Sequence, residues 1–203
     1  SKLMTSSHSS SAAPRQAPNS AAYVALGFGV LCIGLSAIFV KLAGVPGPVS
    51  AFYRVFFATL LLAPWWLVRR RPLPGRRVLL ATCLGGVFFA ADLALWNSAI
   101  MLTDAGVATL LANNAPLWVG LAAWLFFHER LTANYWLGLA IAMIGMVLIV
   151  GVSGSLFTGS GLGNLLAIGA SVLYAAYLLT TQRVRARMDT TTFMMLSMAV
   201  GAA

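Results

Sequence analysis

The chain has 203 residues, of which 60% are hydrophobic and only 8% charged, with a formal net charge of +9. A soluble domain carries roughly 25% charged residues, so too little charge is present to coat a water-soluble globule, and the composition reads as an integral membrane protein. Its two cysteines, Cys32 and Cys83, lie inside apolar runs and its histidines number two, which excludes a disulfide framework and a multi-histidine metal centre.

Residues Ser1 to Asn19 are rich in Ser, Ala, Pro and Gln. Such a segment buries too little apolar surface to order itself, so a disordered cytoplasmic tail is expected over 1–19. The Ser-Lys-Leu before Met4 reads as a cloning remnant, and the tail lacks the basic patch and short apolar region of a signal peptide. Apolar runs follow at Ala21–Ala43, Val49–Val68, Val78–Met101, Ala105–Phe127, Tyr135–Val152 and Leu162–Thr181. Each is near the ~20 residues that a helix needs to cross the hydrocarbon core. Six transmembrane helices are therefore expected. A seventh opens near Thr191 and is still apolar at Ala203, as in the front part of a longer protein.

The connections alternate in charge. Arg69–Arg77, His128–Arg130 and Gln182–Asp189 hold Lys or Arg, whereas those after the first, third and fifth helices hold neither. Cytoplasmic loops collect Lys and Arg, so the N-terminus and the loops after even-numbered helices are expected in the cytoplasm. The positive charge then reports topology, and no nucleic-acid partner is expected. Val49–Leu62 aligns weakly with Thr190–Ala202, placing Phe52 over Phe193. Equivalent positions are separated by five helices. An odd number of spans inverts the second unit relative to the first, an architecture in which the substrate site lies at the repeat interface near the midplane.

Polar residues inside membrane helices are costly and tend to face a bundle interior or a cavity. In the third helix, Asp92 lies about 13 Å from the outer end at 1.5 Å per residue, with Trp96 one turn further on the same face. In the fourth, Asn113 shares a small, polar face with Gly106, Thr109 and Gly120, and Pro116 is expected to loosen the turn around it because it offers no N–H to the carbonyl of Ala112. In the sixth, Tyr174 lies on a mixed face with Asn164 and Ser171. Asn, Ser and Tyr also serve simply to join membrane helices, and that reading is preferred for Asn114, Asn164 and Ser171. In the fifth helix Gly138, Ala142 and Gly145 form a small face suited to close packing. Three readings of Arg54 stand open: it snorkels to the outer headgroups, it pairs with Asp92, or it lines a cavity and attracts an anionic group of a substrate. Lys41 is expected to be a snorkelling anchor with Asp104 as a partner, and Asp104 also suits a helix start. No HExxH, GxSxG or phosphate-cradling glycine loop is present, so no enzyme, cofactor or metal site is expected.

The stretch NNAPLWVGLAAWLFFHERLTANYWLGLAIAMIGMVLIVG, Asn113–Gly151, resembles the end of an EamA repeat: a proline-containing helix, a Glu-Arg-Leu-Thr turn and a glycine-spaced last helix. SAIFVKLA and PGPVSAFYRVFFATLLLAP resemble the start of the same repeat, and GNLLAIGASVLYAAYLLTTQR the opening of a second. His128 stands where the family pattern usually has a small residue. The resemblance implies the drug/metabolite transporter superfamily: an all-α membrane bundle of ten helices in two inverted five-helix halves. Residues 20–152 would then be the first repeat and 161–203 the start of the second. It implies an alternating-access carrier of small organic solutes in the bacterial inner membrane, commonly an exporter of amino acids or related metabolites, either proton-coupled or facilitative. The rival reading is a structural or assembly membrane protein. Asp92, Trp96, Asn113, Tyr174 and Arg54 are the candidate cavity residues, and Pro116 the candidate hinge.

The charge pattern makes a direct prediction. In a variant without native cysteines, single cysteines at Arg71, Glu129 or Arg185 should resist an impermeant thiol reagent added outside intact cells, and one at Ser155 should react. The opposite sidedness would overturn the orientation.

Overall fold

A chain in hydrocarbon must satisfy its own backbone N–H and C=O groups, and the helix does so within one segment. A computed structural model describes residues 20–69, 74–128, 131–152, 161–185 and 187–202, and among them the regular structure is α-helical throughout. The expected tail over 1–19, part of the first basic connection, Glu129 and Arg130 of the second, and the connection over 153–160 lie outside the described residues. The helices are α1 (Ser20–Ala43), α2 (Gly47–Arg69), α3 (Arg76–Leu102), α4 (Ala105–Ala112), α5 (Ala115–Phe127), α6 (Ala133–Val152), α7 (Gly161–Arg185) and α8 (Thr190–Gly201). Five stretches are long and apolar enough to cross a bilayer: Tyr23–Ala43, Gly47–Val68, Arg76–Leu102, Ala105–Phe126 and Gly161–Arg185. The stretches Ala133–Leu148 and Thr190–Gly201 are apolar but shorter. The fifth of the six expected spans is thus the helix α6, with a shorter described apolar stretch than the other five.

The fourth expected span is two helices rather than one. Asn113 (φ −77°, ψ 5°) ends α4 and Asn114 (φ −79°, ψ 14°) begins α5, with proline in the first turn of α5. The cause is local. Pro116 cannot donate to the Ala112 carbonyl. The Thr109 carbonyl instead takes two donors from Asn113, its backbone N–H at 3.0 Å and its Nδ2 at 2.8 Å. At the opposite end of α4, Asp104 caps the helix: its Oδ1 accepts from the N–H groups of Gly106 at 2.9 Å and Val107 at 3.2 Å. No ion pair joins Asp104 to Lys41 among the described residues, and Lys41 is exposed. Asp189 caps α8 in the same way, accepting from the Thr192 N–H and hydroxyl, each at 3.1 Å.

Residues up to Ser36 form one unit, of which the first part of α1 is described, and Ala37–Ala203 forms another. Within the second unit α3 is the spine. It packs most extensively against α7 and also against α2, α8 and α4. Ala99, Ile100, Val55, Val107, Ala108 and Ala167 make its buried core. Small residues let the backbones meet. A Cβ on Gly86 of α3 would lie 3.0 Å from the Ser197 Cα of α8, and one on Gly47 of α2 only 2.6 Å from the Ser98 Cα of α3. Polar side chains then tie the seams. Trp118 Nε1 donates to Ser171 Oγ at 2.8 Å, the Thr103 hydroxyl to Asn164 Oδ1 at 3.1 Å, and the Tyr135 hydroxyl to the Pro116 carbonyl at 2.6 Å. Asn164 and Ser171 join helices, as expected for them. The small face of α6 does not behave as expected. Among the described residues nothing lies within 4 Å of a Cβ built on Gly138 or Gly145, and the close approach of α6 is instead made by Tyr135, whose hydroxyl would lie 2.7 Å from a Cβ on Gly120 of α5.

This contrast can be tested on unfolding in detergent. Gly86→Ala forces α3 and α8 apart and should cost about 1–3 kcal/mol, the usual range for overpacking. Gly138→Ala adds a methyl in open space and should leave the unfolding midpoint unchanged or slightly raised.

Candidate functional site

The α2–α3 seam holds a cation and an anion. Arg54, in the middle of the apolar face of α2, is partly buried, and its Nη1 is buried without a hydrogen-bond partner among the described residues. Its guanidinium carbon lies 5.3 Å from the ring centroid of Trp96. That is within cation–π range, so the negative face of the indole supplies part of what water would supply to the charge. Trp96 and Asp92 are one turn apart on α3, and each is only 8% exposed.

Arg54 and Asp92 do not close into a contact ion pair among the described residues, although their charges interact. The Asp92 carboxylate accepts no hydrogen bond from a described residue. The guanidinium is therefore held by an aromatic ring, and the carboxylate by its distance-attenuated attraction to the guanidinium. Neither group is saturated. A closed bidentate pair would already commit two guanidinium N–H groups and both carboxylate oxygens to each other.

A third helix reaches the same charge. Tyr174 on α7 feels Asp92 electrostatically. It stacks on Tyr177 with ring centroids 6.1 Å apart, and Tyr177 leans on Phe89 of α3 at 4.9 Å and on Phe193 of α8 at 5.9 Å. Phe193 is 1% exposed, so this aromatic row is anchored in the core. Arg54, Asp92, Trp96 and Tyr174 are thus gathered from three helices.

Asn113 stands apart from them. It is exposed, it bonds back to its own helix at Thr109, and no hydrogen bond joins it to Asp92 or Trp96 among the described residues. Pro116 lies in the first turn of α5, and its carbonyl receives the Tyr135 hydroxyl.

One polar residue of this seam was missed by the sequence reading. Asn97 is completely buried; its Nδ2 donates to the Gly47 carbonyl at 3.3 Å, and its Oδ1 has no partner among the described residues. It fastens the first turn of α2 to α3 and so helps to set the position of Arg54 two turns further on. Its side chain points toward a partner helix that spacing along α3 does not reveal. The available signal was the glycine at position 47, which permits that approach.

The larger clefts are elsewhere and mostly apolar. One of about 440 Å³ is lined by Trp118, Leu121, Leu125, Val172, Ala175 and Leu179, and another of about 390 Å³ by Ala51, Val55, Val87, Ala91 and Gly201 among others. Among the described residues no group of three or more His, Cys, Asp or Glu is placed to hold a metal ion.

Residues 20–151 match the model of the EamA-like transporter family. Curated relatives include the "probable 4-amino-4-deoxy-L-arabinose-phosphoundecaprenol flippase subunit ArnE" of Salmonella paratyphi B and of Salmonella typhimurium. Each is 32% identical over 74 residues, covering 36% of this chain and 67% of the relative. The protein of the same name from Salmonella paratyphi C is 31% identical over the same span. No solved structure matches the chain.

Proposed function

The chain belongs to the EamA-like transporter family, and from that premise we propose that it is an alternating-access carrier for a small organic solute bearing a protonated amine, with Asp92 as the group that receives the amine. The observation that carries this reading is the unsaturated Arg54–Trp96–Asp92 arrangement. Ionisable side chains in membrane helices are retained against a cost and mark substrate or proton pathways. Here the carboxylate is buried beside aromatic rings and free of direct hydrogen bonds among the described residues. The ring of Tyr174, which feels the Asp92 charge from the neighbouring helix, offers a face to a cation.

The expected export of amino acids draws no support from the relatives, whose name is that of a 4-amino-4-deoxy-L-arabinose-phosphoundecaprenol flippase subunit. An amine is the feature that the two substrate classes share, and it is the feature that a carboxylate such as Asp92 recognises. The same carboxylate would carry a proton when no amine is bound, which couples the two. Alternating access further needs a place to bend. The α4–α5 break at Asn113–Asn114 supplies one, since the Ala112 carbonyl has no donor at Pro116 to lose when the angle changes. We place the N-terminus in the cytoplasm of a bacterial inner membrane on the strength of the basic connections. We read 20–152 and 161–203 as one inverted repeat and the opening of another, with α7 and α8 as counterparts of α1 and α2.

Asp92→Asn keeps the shape of the side chain and removes its charge. In proteoliposomes, counterflow of a labelled amine-bearing solute such as leucine or putrescine should fall at least about tenfold, the loss expected for one hydrogen bond to a charged group. The variant should still insert and elute as the wild type does. Unchanged counterflow would refute the assignment of Asp92.

A further inference from the structure

Buried polar atoms in folded proteins are nearly always partnered, and exceptions call for an explanation. Among the described residues four buried side-chain atoms have no partner: Arg54 Nη1, Trp66 Nε1, Trp96 Nε1 and Asn97 Oδ1. Three of them lie on the α2–α3 seam. Two of those three, Arg54 Nη1 and Trp96 Nε1, are hydrogen-bond donors of a single stacked pair, with the guanidinium carbon 5.3 Å from the indole centroid. They come from different helices, and Trp96 is only 8% exposed.

What these donors lack is an acceptor. A guanidinium N–H and an indole N–H have no lone pair to offer, so the missing partner is neither a metal ion nor an ammonium group. One donor carries a permanent positive charge, which favours an acceptor that is an anion. The guanidinium lies over the indole ring, so the two donors belong to one cluster, and a carboxylate or phosphate has more than one oxygen with which to accept from both. Stacking on Trp96 already restrains the Arg54 side chain, so little freedom remains to be lost when an anion binds.

We propose that Arg54 Nη1 and Trp96 Nε1 form an oxyanion subsite, which takes a carboxylate or phosphate group of the transported molecule while its amine meets Asp92. The subsite rests on the carrier reading above and adds a requirement that reading does not contain. The solute must carry a negative group as well as an amine. It also explains why Arg54 and Asp92 remain out of contact: each keeps its bonding capacity for one pole of the solute. A free amino acid and a lipid-linked amino-sugar phosphate both present this chemistry, from different sources.

The test is ligand-dependent thermal unfolding of the protein in dodecyl maltoside, a non-ionic detergent. The probes are leucine, isoamylamine (leucine without its carboxylate) and undecaprenyl phosphate. At least one of the two oxyanion probes should raise the unfolding midpoint of the wild type saturably. If leucine does so, isoamylamine should bind at least about tenfold more weakly. Trp96→Phe keeps the ring and deletes the donor, and should weaken the effective oxyanion probe about tenfold while leaving isoamylamine unchanged, as expected for losing one hydrogen bond to a charged group. Arg54→Gln reads the same subsite if Trp96→Phe does not fold. Response to leucine alone assigns a free solute as the source, and response to undecaprenyl phosphate alone assigns a lipid. The proposal is overturned if neither oxyanion stabilises the wild type, or if both bind folded Trp96→Phe as they bind the wild type. Those outcomes would leave the two donors to ordered water. They would not touch the carrier reading, which falls only if counterflow ignores Asp92.

Discussion

A guanidinium cannot shed its charge in a membrane protein, so its surroundings must hold that charge. In this bundle the holder is the face of Trp96, with Asp92 one turn back along α3 supplying an attraction that stops short of contact. The rest of the α2–α3 seam is arranged around that constraint. Asn97 ties the start of α2 to α3 through the Gly47 carbonyl, and the absence of a side chain at Gly47 lets the two backbones meet there. Arg54 then lies two turns along a helix whose register on α3 has already been set. A closed salt bridge would commit part of the guanidinium and of the carboxylate to each other, whereas a cation held by an aromatic ring leaves its N–H groups to other acceptors.

The packing of the bundle serves the same seam. α3 touches α2, α4, α7 and α8, so a solute that separated Arg54 from Asp92 would act on the helix that those four share. The α3–α8 contact at Gly86 and Ser197 is backbone against backbone, which makes it stiff. The α4–α5 break is the opposite: a span with two short pieces that meet at a pair of asparagines. A carrier that rocks about a fixed site needs both kinds of element, one to hold the site and one to bend.

Much of this was legible in the residues, and the reasons differ. Helix existence and class follow from long apolar runs that admit no other backbone solution in lipid. The break at Asn113–Asn114 follows from Pro116, a covalent cause. Asp104 at the start of α4 follows from its place ahead of an apolar run. The juxtaposition of Asp92 with Trp96 follows from the helical period, since a separation of four residues returns to one face. Contacts between helices are harder to read. Glycine-spaced faces occur on several helices, and only tertiary packing decides which are used. Hence Gly138 and Gly145 looked like packing positions but meet nothing among the described residues, while Gly47 and Gly86 are among the glycines that carry close approaches. Asn113 and Asp92 were both expected to line a cavity, but spacing along a helix does not determine which neighbour a face meets, and Asn113 is exposed and bonded to its own helix. Asn97 was passed over because nothing along α3 tells which helix end it meets.

The central claim is that Arg54 and Asp92 are kept apart for a solute rather than paired for stability. A double-mutant cycle with Arg54→Leu and Asp92→Asn, scored both for unfolding midpoint and for proteoliposome counterflow, tests it most directly. Neighbouring charges couple, so the double variant should recover part of the stability that each single change loses, with an interaction energy of about 0.5–3 kcal/mol. Counterflow should not recover, because both poles of the site are gone. Full recovery of counterflow in the double variant would contradict the account, and would make the two residues a neutralising pair with no part in transport.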